Sequence, residues 1–525
     1  MKKVICITLM LLIVAGMAGC QKSEISPIYD SRGDKHLAEK ILTGNSDTEW
    51  LPELYEEGMR IQQTFEHDKK PIKLVVDADV QIPSDRMPAA IVKPHRFTQE
   101  EADTMIAYLV GDAYFAKLDL YDKEGNLVYK NIPKSTVATN IERLENDIAH
   151  YKSFSFPLNN LIENAEEQLA IYKEIYPTAK ELNSYPEASR NFSKGEIVER
   201  FYASEFEFLH RNQGWPYKIY PEYEETHIVD EIDGYFEKDG MLYHLLIYSD
   251  DTGRWSKMEL SQPFLRGGAS TNLSDKTVAV YEDAVKTAEN AVKSIGAYEE
   301  GMRLASDGGR IWTMHTADES IFIEFAFVKE INGVQGDNTD YIRFPQRSGD
   351  LWNSGWGYER LEIKVENYGL AGIIWENPCE IVEVLAIDTP MLTFEQVMKC
   401  FTQTIFLEYG GFVKDEETLG IGSDYIVFEI EYDASEMDSD NLGQWQIDTI
   451  ALNLVRVQAG GEYLLVPVWS FYGNISWLSK EEEKVEEWIL RTDTYKGFSV
   501  TRYGTPPLIT INAIDGSLID MKYGY

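Results

Sequence analysis

The chain has 525 residues, with 88 Asp and Glu against 49 Lys and Arg, for a formal charge of −39 and a pI near 4.6. Hydrophobic residues make up 44% and aromatics 12%, ample for large cores, so disorder is not the default. So acidic a surface repels phosphate backbones and anionic head groups, which excludes nucleic acid as a partner and leaves solubility as the plain meaning of the charge.

Lys2 and Lys3 precede an apolar stretch, Val4 to Ala15, interrupted only by Thr8, and Gly16, Ala18 and Gly19 lead into Cys20. A charged start, a short apolar run and small residues define a secretory signal over residues 1–19, too short for a comfortable membrane span. A cysteine directly after Ala-Gly resembles the lipobox of bacterial lipoproteins, with Met17 where Leu is usual. That resemblance implies cleavage before Cys20, a thioether-linked diacylglycerol on its sulfur, and a lipid anchor at the extracytoplasmic face of the cell membrane. Ordinary secretion after cleavage at Ala18 is the alternative. Residues 20–49 then read as the lipidated cysteine and a polar, flexible tether.

Residues 50–212 read as an N-terminal α+β region with a helical segment. "PIKLVVDADVQIP" alternates as a strand with Leu74, Val76, Ala78 and Val80 on one face. In "RFTQEEADTMIAYLVGD", Thr98 with Glu101 three residues on forms a capping box that opens a helix. "AYFAKLDLYDKEGNLVYKNIP" predicts a strand, a turn at Glu124-Gly125-Asn126 and a second strand. Residues 136–212 read as mainly helical, including "LIENAEEQLAIYKEIY" and "KGEIVERFYASEFEFLHRN". Residues 213–275 switch to a period of two, an antiparallel meander turning at Asp239-Gly240 and Asp251-Thr252-Gly253.

Residues 276–390 form a first α+β module. The helix "YEDAVKTAENAVKSIGAY" stripes Ala284, Val285, Ala288, Ala291, Val292 and Ile295. The strand "SIFIEFAFVKEINGVQ" ends in an Asn332-Gly333 turn, and "WGYERLEIKVENYGLAGIIWEN" makes two strands about Tyr368-Gly369. Residues 391–525 reuse the order as a second module. Here "LTFEQVMKCFTQTIF" is a helix capped by Thr393 with Gln396. The strands "DYIVFEIEYDAS", "QIDTIALNLVRVQAGGEYLLVPVWSFYG" and "PLITINAIDGSLIDMKY" follow, with turns at Gly460-Gly461 and Asp515-Gly516. The expected class is α+β, built of helix-plus-antiparallel-sheet modules with a degenerate tandem repeat in the C-terminal half.

Three passages, "LVVDADVQIP…FTQEEADTMIAYLVGD", "GWGYERLEIKVENYGLAGIIWENP…LTFEQVM" and "YLLVPVWSFYG…LITINAIDGSLID", resemble an uncharacterised family of clostridia-type Gram-positive lipoproteins. The C-terminal half is similar to PepSY-type and YycH/YycI-type modules, whose last hairpin carries an Asn-Ala-x-x-Gly-like turn, here Asn512, Ala513 and Gly516. The long N-terminal half has no counterpart in those small modules. The resemblance implies a protein that binds and regulates outside the membrane, for example restraining a peptidase or a sensor kinase, with no catalytic residues to carry over.

Hydrolytic and phosphate-binding motifs are absent: no G-x-S-x-G, S-x-x-K, H-E-x-x-H or G-x-x-x-x-G-K-[ST]. All eight histidines lie at or before His315, none in metal-ligand spacing with another. "YDASEMDSDN" gathers Asp433, Glu436, Asp438 and Asp440, a weak calcium candidate, since Asn441 stands where an EF-hand needs Gly; a solvated hairpin loop is the better reading. "GDLWNSGWGYERL" sets Trp352, Trp356 and Tyr358 beside glycines, where exposed rings would stack on sugar or peptide. Trp469, Phe471, Tyr472 and Trp477 read instead as core. Cys379 and Cys400 either form one disulfide or stay as buried thiols, with thiols favoured. No cofactor is expected. The function expected is a non-catalytic, lipid-anchored protein binding or regulating a protein or peptide partner. The alternatives are a surface hydrolase acting on glycan or peptide through carboxylates that no motif reveals, and a solute-binding lipoprotein.

Overall fold

A computed structural model describes residues 36–44, 50–66, 72–121, 127–153, 159–201, 223–263, 275–313, 321–336, 356–366, 369–408, 442–459, 461–478, 492–495, 498–501 and 507–519. Cys20, Trp352, the strand read over "DYIVFEIEYDAS" and the acidic run Asp433, Glu436, Asp438 and Asp440 lie outside them.

The chain opens with α1 (Leu37–Thr43), α2 (Trp50–Glu57), β1 (Met59–Glu66), β2 (Ile72–Gln81) and β3 (Ala89–Pro94). A long excursion follows. It holds α3 (Gln99–Leu109), the helical pair α4 (Lys134–Ser153) and α5 (Asn159–Ile175), then β4 (Ser193–Phe201), β5 (Tyr223–Lys238), β6 (Met241–Asp250) and β7 (Ser256–Ser261). Next come α6 (Asp275–Ser294), β8 (Met302–Thr313), β9 (Ile321–Ile331), β10 (Val334–Gln335), β11 (Arg360–Glu366) and β12 (Gly369–Glu376). The chain then returns through β13 (Cys379–Ala386), α7 (Phe394–Glu408), β14 (Leu442–Ala459) and β15 (Glu462–Leu478). It closes with β16 (Thr492–Tyr495), β17 (Phe498–Thr501), β18 (Ile509–Asn512) and β19 (Leu518–Ile519).

Strands from the two ends of the chain make one sheet, ordered β1-β2-β14-β15-β18-β19, with β3 on β15 and β13 on β3. Strands of the excursion make another, β10-β9-β11-β12-β7-β6-β5-β4, with β8 on β9. β2 runs parallel to β14; the other strand pairs are antiparallel, in keeping with an α+β class. Insertion costs the first sheet little, because β3 and β13 are antiparallel neighbours with Pro94 opposite Cys379. The chain thus leaves and re-enters at one spot, where the His95 amide donates to the Pro378 carbonyl at 2.9 Å.

Local signals carry much of this. Both capping boxes form: Thr98 accepts from the Glu101 amide while Glu101 accepts from the Thr98 amide, and Thr393 and Gln396 reciprocate likewise. Asp239 and Gly240, at φ 53° and 78°, turn β5 into β6 with Lys238 opposite Met241. Leu74, Val76, Ala78 and Val80 are buried on one face of β2. Ala284, Ala288, Ala291, Val292 and Ile295 bury one stripe of α6 in a core shared with α3 and the inserted sheet.

Four apolar clusters result. α3 and α6 cover the inserted sheet, and α7 with Leu51 of α2 covers one face of the terminal sheet. Leu37 and Ile41 of α1 close the opposite face, against Val455, Val457, Leu464, Val466 and Val468. The α4–α5 hairpin packs over Tyr235 and Leu242.

Three sequence expectations are corrected. The flexible tether read over 20–49 does not run its whole length, because α1 lies within it and buries Leu37 and Ile41 against the terminal sheet, an apolar pair four residues apart on one helix face. "KGEIVERF" is not helical: it is the edge strand β4, paired from Ser193 opposite Glu231 to Phe201 opposite Tyr223. Its Lys, Glu and Arg favour helix only weakly against sheet pairing, and Gly195 lies so close to β5 that a Cβ there would fall 2.0 Å from the Glu231 carboxyl carbon. Of the hairpin read over 113–133, the arms still meet locally at Tyr121 and Leu127, with the Val128 amide donating to the Leu120 carbonyl at 2.7 Å, and the turn at Glu124-Gly125-Asn126 lies outside the described residues; but Ala113–Leu120 is not a strand, and Ala116 bridges Glu187 and Tyr235. The Ala116 backbone is taken by Tyr235, its amide donating at 2.7 Å, so at that position a partner from another segment replaces a local one.

The sheets also run across the linear divisions. Strands before and after residue 276 share the inserted sheet, while β13 belongs to the terminal one. α6 packs on antiparallel β9, β11 and β12, whereas α7 lies over β14, β15 and β18, with β14 flanked by parallel β2.

Candidate functional site at the junction of the sheets

The inserted sheet meets the terminal one through the end of β9, the short β10 and residues 356–359 ahead of β11. Asn332 and Gly333, at φ 50° and 81°, reverse the chain after β9, and Gly336 then bridges Leu454 of β14. Ile331, Val334 and Trp356 enter the core of the terminal sheet. Charged side chains are buried beside them.

Lys329 lies on β9 in phase with Ile323, Phe325, Phe327 and Ile331, and is buried like them. Its Nζ donates to the carbonyls of Glu300 and Cys379, both at 2.7 Å, and pairs with Glu359 Oε2 at 3.2 Å. The two charged side chains are only 5% and 7% exposed. Glu359 Oε1 accepts from Trp375 Nε1 at 3.0 Å, and Oε2 from the Cys379 thiol at 3.0 Å. Burial alone would lower the lysine pKa, but Glu359, Cys379 and Glu300 outweigh it and hold the ammonium above its ordinary range. Burial, then Glu359, pushes the Cys379 thiol up, so it stays protonated and is no nucleophile toward solutes.

Arg456, in phase on β14 with Ile450, Leu452 and Leu454, is 5% exposed. Its guanidinium lies 3.8 Å from the Trp356 ring centroid, 4.8 Å from that of Tyr358 and 5.7 Å from that of Tyr463. Nη2 donates to the Trp356 carbonyl at 2.5 Å, and the Tyr358 hydroxyl donates to the Arg456 carbonyl at 3.3 Å. Arg456 Nη1 and Trp356 Nε1 find no hydrogen-bond partner among the described residues. Burial holds this guanidinium below its usual range, opposed by Tyr358, Cys379, Tyr463 and Glu359.

Where the chain crosses between sheets, His95 Nε2 lies 2.8 Å from Glu101 Oε1, and Nδ1 lies 4.0 Å from Glu380 Oε2, which also pairs with Lys93 at 3.1 Å. Burial lowers the imidazole pKa, but Glu101, Glu300 and Glu380 outweigh it and raise it.

At its two described members the aromatic loop departs from the exposed reading, Trp352 lying outside the described residues. Trp356 is 6% exposed, not solvent-facing, and Tyr358 is half-buried; both converge on Arg456 instead of an outer surface. Gly357 lets this segment lie against Asn377, since a Cβ there would fall 2.4 Å from Asn377 Nδ2. Trp469 and Phe471 are fully buried, and Phe471 stacks on Phe401 at 3.9 Å. Cys379 and Cys400 are free thiols. Sequence reading missed Lys329, Glu359, Arg456 and His95. The signal for the first and third was available, since each is a cation at an in-phase apolar position of a strand.

Chemically, the junction group holds two sheets in one arrangement: Lys329, Glu359 and Cys379 satisfy one another across β9 and β13. Among the described residues, no group of three or more His, Cys, Asp or Glu is placed to hold a metal ion, and no helix is long and apolar enough to cross a membrane. Compared with protein-family models, curated proteins and solved structures, the chain matches none.

Proposed function

We propose that the protein is a membrane-anchored extracytoplasmic lipoprotein that binds or regulates a protein or peptide partner and is not an enzyme. The observation that carries this reading is the run from Lys2 and Lys3 through the apolar stretch to Ala18-Gly19-Cys20. Each buried methylene contributes about 0.8 kcal/mol, so the two acyl chains of a diacylglycerol on Cys20 anchor stably where one chain does not.

Recognition by strand addition suits the edge strand β13, which among the described strands pairs with β3 alone. Val382 and Val384 there are 53% and 42% exposed and Ile387 just after it 57%, beside Glu380 and Glu383. An extended partner segment alternating apolar and basic residues complements that edge.

Growth with radiolabelled palmitate tests the anchor: wild type takes label, whereas Cys20→Ser takes none and is released to the medium. An unlabelled wild-type protein refutes it. Turnover by residues 21–525 in a broad hydrolase screen, abolished by point substitution, refutes the non-catalytic part.

A further inference from the structure

The Lys329, Glu359 and Cys379 group has a chemistry that the binding reading does not use. Lys329 Nζ and Cys379 Sγ approach the same atom, Glu359 Oε2, at 3.2 Å and 3.0 Å. Nζ also donates to the Cys379 carbonyl at 2.7 Å, so the amine is held against the residue that bears the thiol. Both side chains are enclosed: Lys329 is 6% exposed and Cys379 4%, which keeps out bulky thiols and disulfides but not dioxygen.

We propose that Lys329 and Cys379 are a covalent modification site, joined by dioxygen through a single oxygen as an Nζ–O–Sγ bridge, with Glu359 positioning both atoms and taking the released proton. The step balances as ammonium plus thiol plus dioxygen giving the bridge, one water and one proton. An N–O and an O–S bond form, one N–H bond and the S–H bond are replaced by them, and the O–O bond breaks. Nitrogen and sulfur each give up two electrons, and the four reduce dioxygen, one oxygen remaining in the bridge and the other leaving as water. The proton stays on Glu359 Oε2, already the acceptor of both donors.

The surroundings favour this product over the usual oxidation ladder. Sulfinic and sulfonic acids would place a new anion beside Glu359, a like charge in a dry site. The bridge instead removes the Lys329 and Glu359 charges together, relieving the desolvation that burial imposes on both. It also links β9 to β13, so oxidation staples the inserted sheet to the terminal one. Once the chain is unfolded and the site opened, two equivalents of a dithiol reverse it: their four electrons and four protons return amine, thiol and water.

The test needs only the full wild-type chain, purified anaerobically and divided between dioxygen and an oxygen-free control. Peptide mapping is expected to show, in the oxygenated sample, the Lys329 and Cys379 peptides joined with a gain of one oxygen and a loss of two hydrogens. One thiol is lost to titration under denaturing conditions, and dithiothreitol restores both peptides. Lys329→Met abolishes the joined peptide. A free Cys379 after oxygen exposure, or a sulfinic acid on Cys379 with unmodified Lys329, overturns the proposal.

Discussion

Replacing Lys329 by Met removes the ammonium and leaves the Glu359 carboxylate enclosed, with the Trp375 indole and the Cys379 thiol, among the described residues, donating to it. Both members of the pair are more than nine-tenths buried, so solvent screening gives little relief. Breaking such a pair from one side costs about 3–5 kcal/mol, because a buried charge is left uncompensated. Glu359→Gln strands the ammonium instead, with its two carbonyl acceptors kept, and costs about 3 kcal/mol on the same ground. The double variant removes both charges and costs less than the two together, by about 2 kcal/mol or more. Urea unfolding of the full chain in reductant measures the cycle, with tryptophan fluorescence and circular dichroism recorded together so that a two-step transition is recognised. Additivity of the two single effects to within about 0.5 kcal/mol would refute an energetically coupled pair.

Two further outcomes test the crossing and the long hairpin. His95 has a raised pKa, so the stability it contributes is fully present below its unfolded pKa and is lost as pH rises through the folded value; Glu101, lowered, contributes stability that is lost as pH falls through its own folded value. Thermal midpoints are therefore highest between those limits, and His95→Gln flattens the alkaline limb; an unchanged limb in that variant refutes the assignment to His95, which faces Glu101, Glu300, Glu380 and, through Glu380, Lys93. Gly473→Ala places a Cβ 1.9 Å from the Gln446 carbonyl oxygen and 2.8 Å from its carbon, backbone that cannot swing aside, and is expected to destabilise by about 3 kcal/mol in thermal unfolding. A wild-type midpoint would show that β14 shifts freely at its bulge between Ile447 and Thr449.

What could be read in advance follows the range of the interaction that decides each element. Turns at Asp239-Gly240 and Asn332-Gly333, the capping boxes at Thr98 and Thr393 and the stripe on α6 are set by residues a few positions apart, and they appear where the pattern places them. "KGEIVERF" failed because its fate depends on β5, some thirty residues away in register, and local propensity carries no knowledge of that partner. Trp356 failed for a related reason. A tryptophan between glycines has the same local sequence whether its ring meets solvent or a guanidinium from β14, a hundred residues on. Glu359 had no signal at all, since one carboxylate among 88 acidic residues is marked only by the lysine that finds it.

The parity of Lys329 shows why the linear order misleads about the fold. An amphipathic strand in a single sheet needs an apolar residue at each inward position, and Lys329 breaks that rule at the point where β9 passes from one core into another. β9 packs its first inward residues, Ile323 to Phe327, in the inserted core and its last, Ile331, in the terminal core; Lys329 falls between the two. An apolar side chain there would satisfy either core and specify neither docking. A lysine that requires Glu359, the Glu300 carbonyl and the Cys379 carbonyl together admits only the arrangement in which β13 has returned beside β3. The cation thus marks the seam, and the double crossing at His95 and Pro378 keeps its two sides in reach.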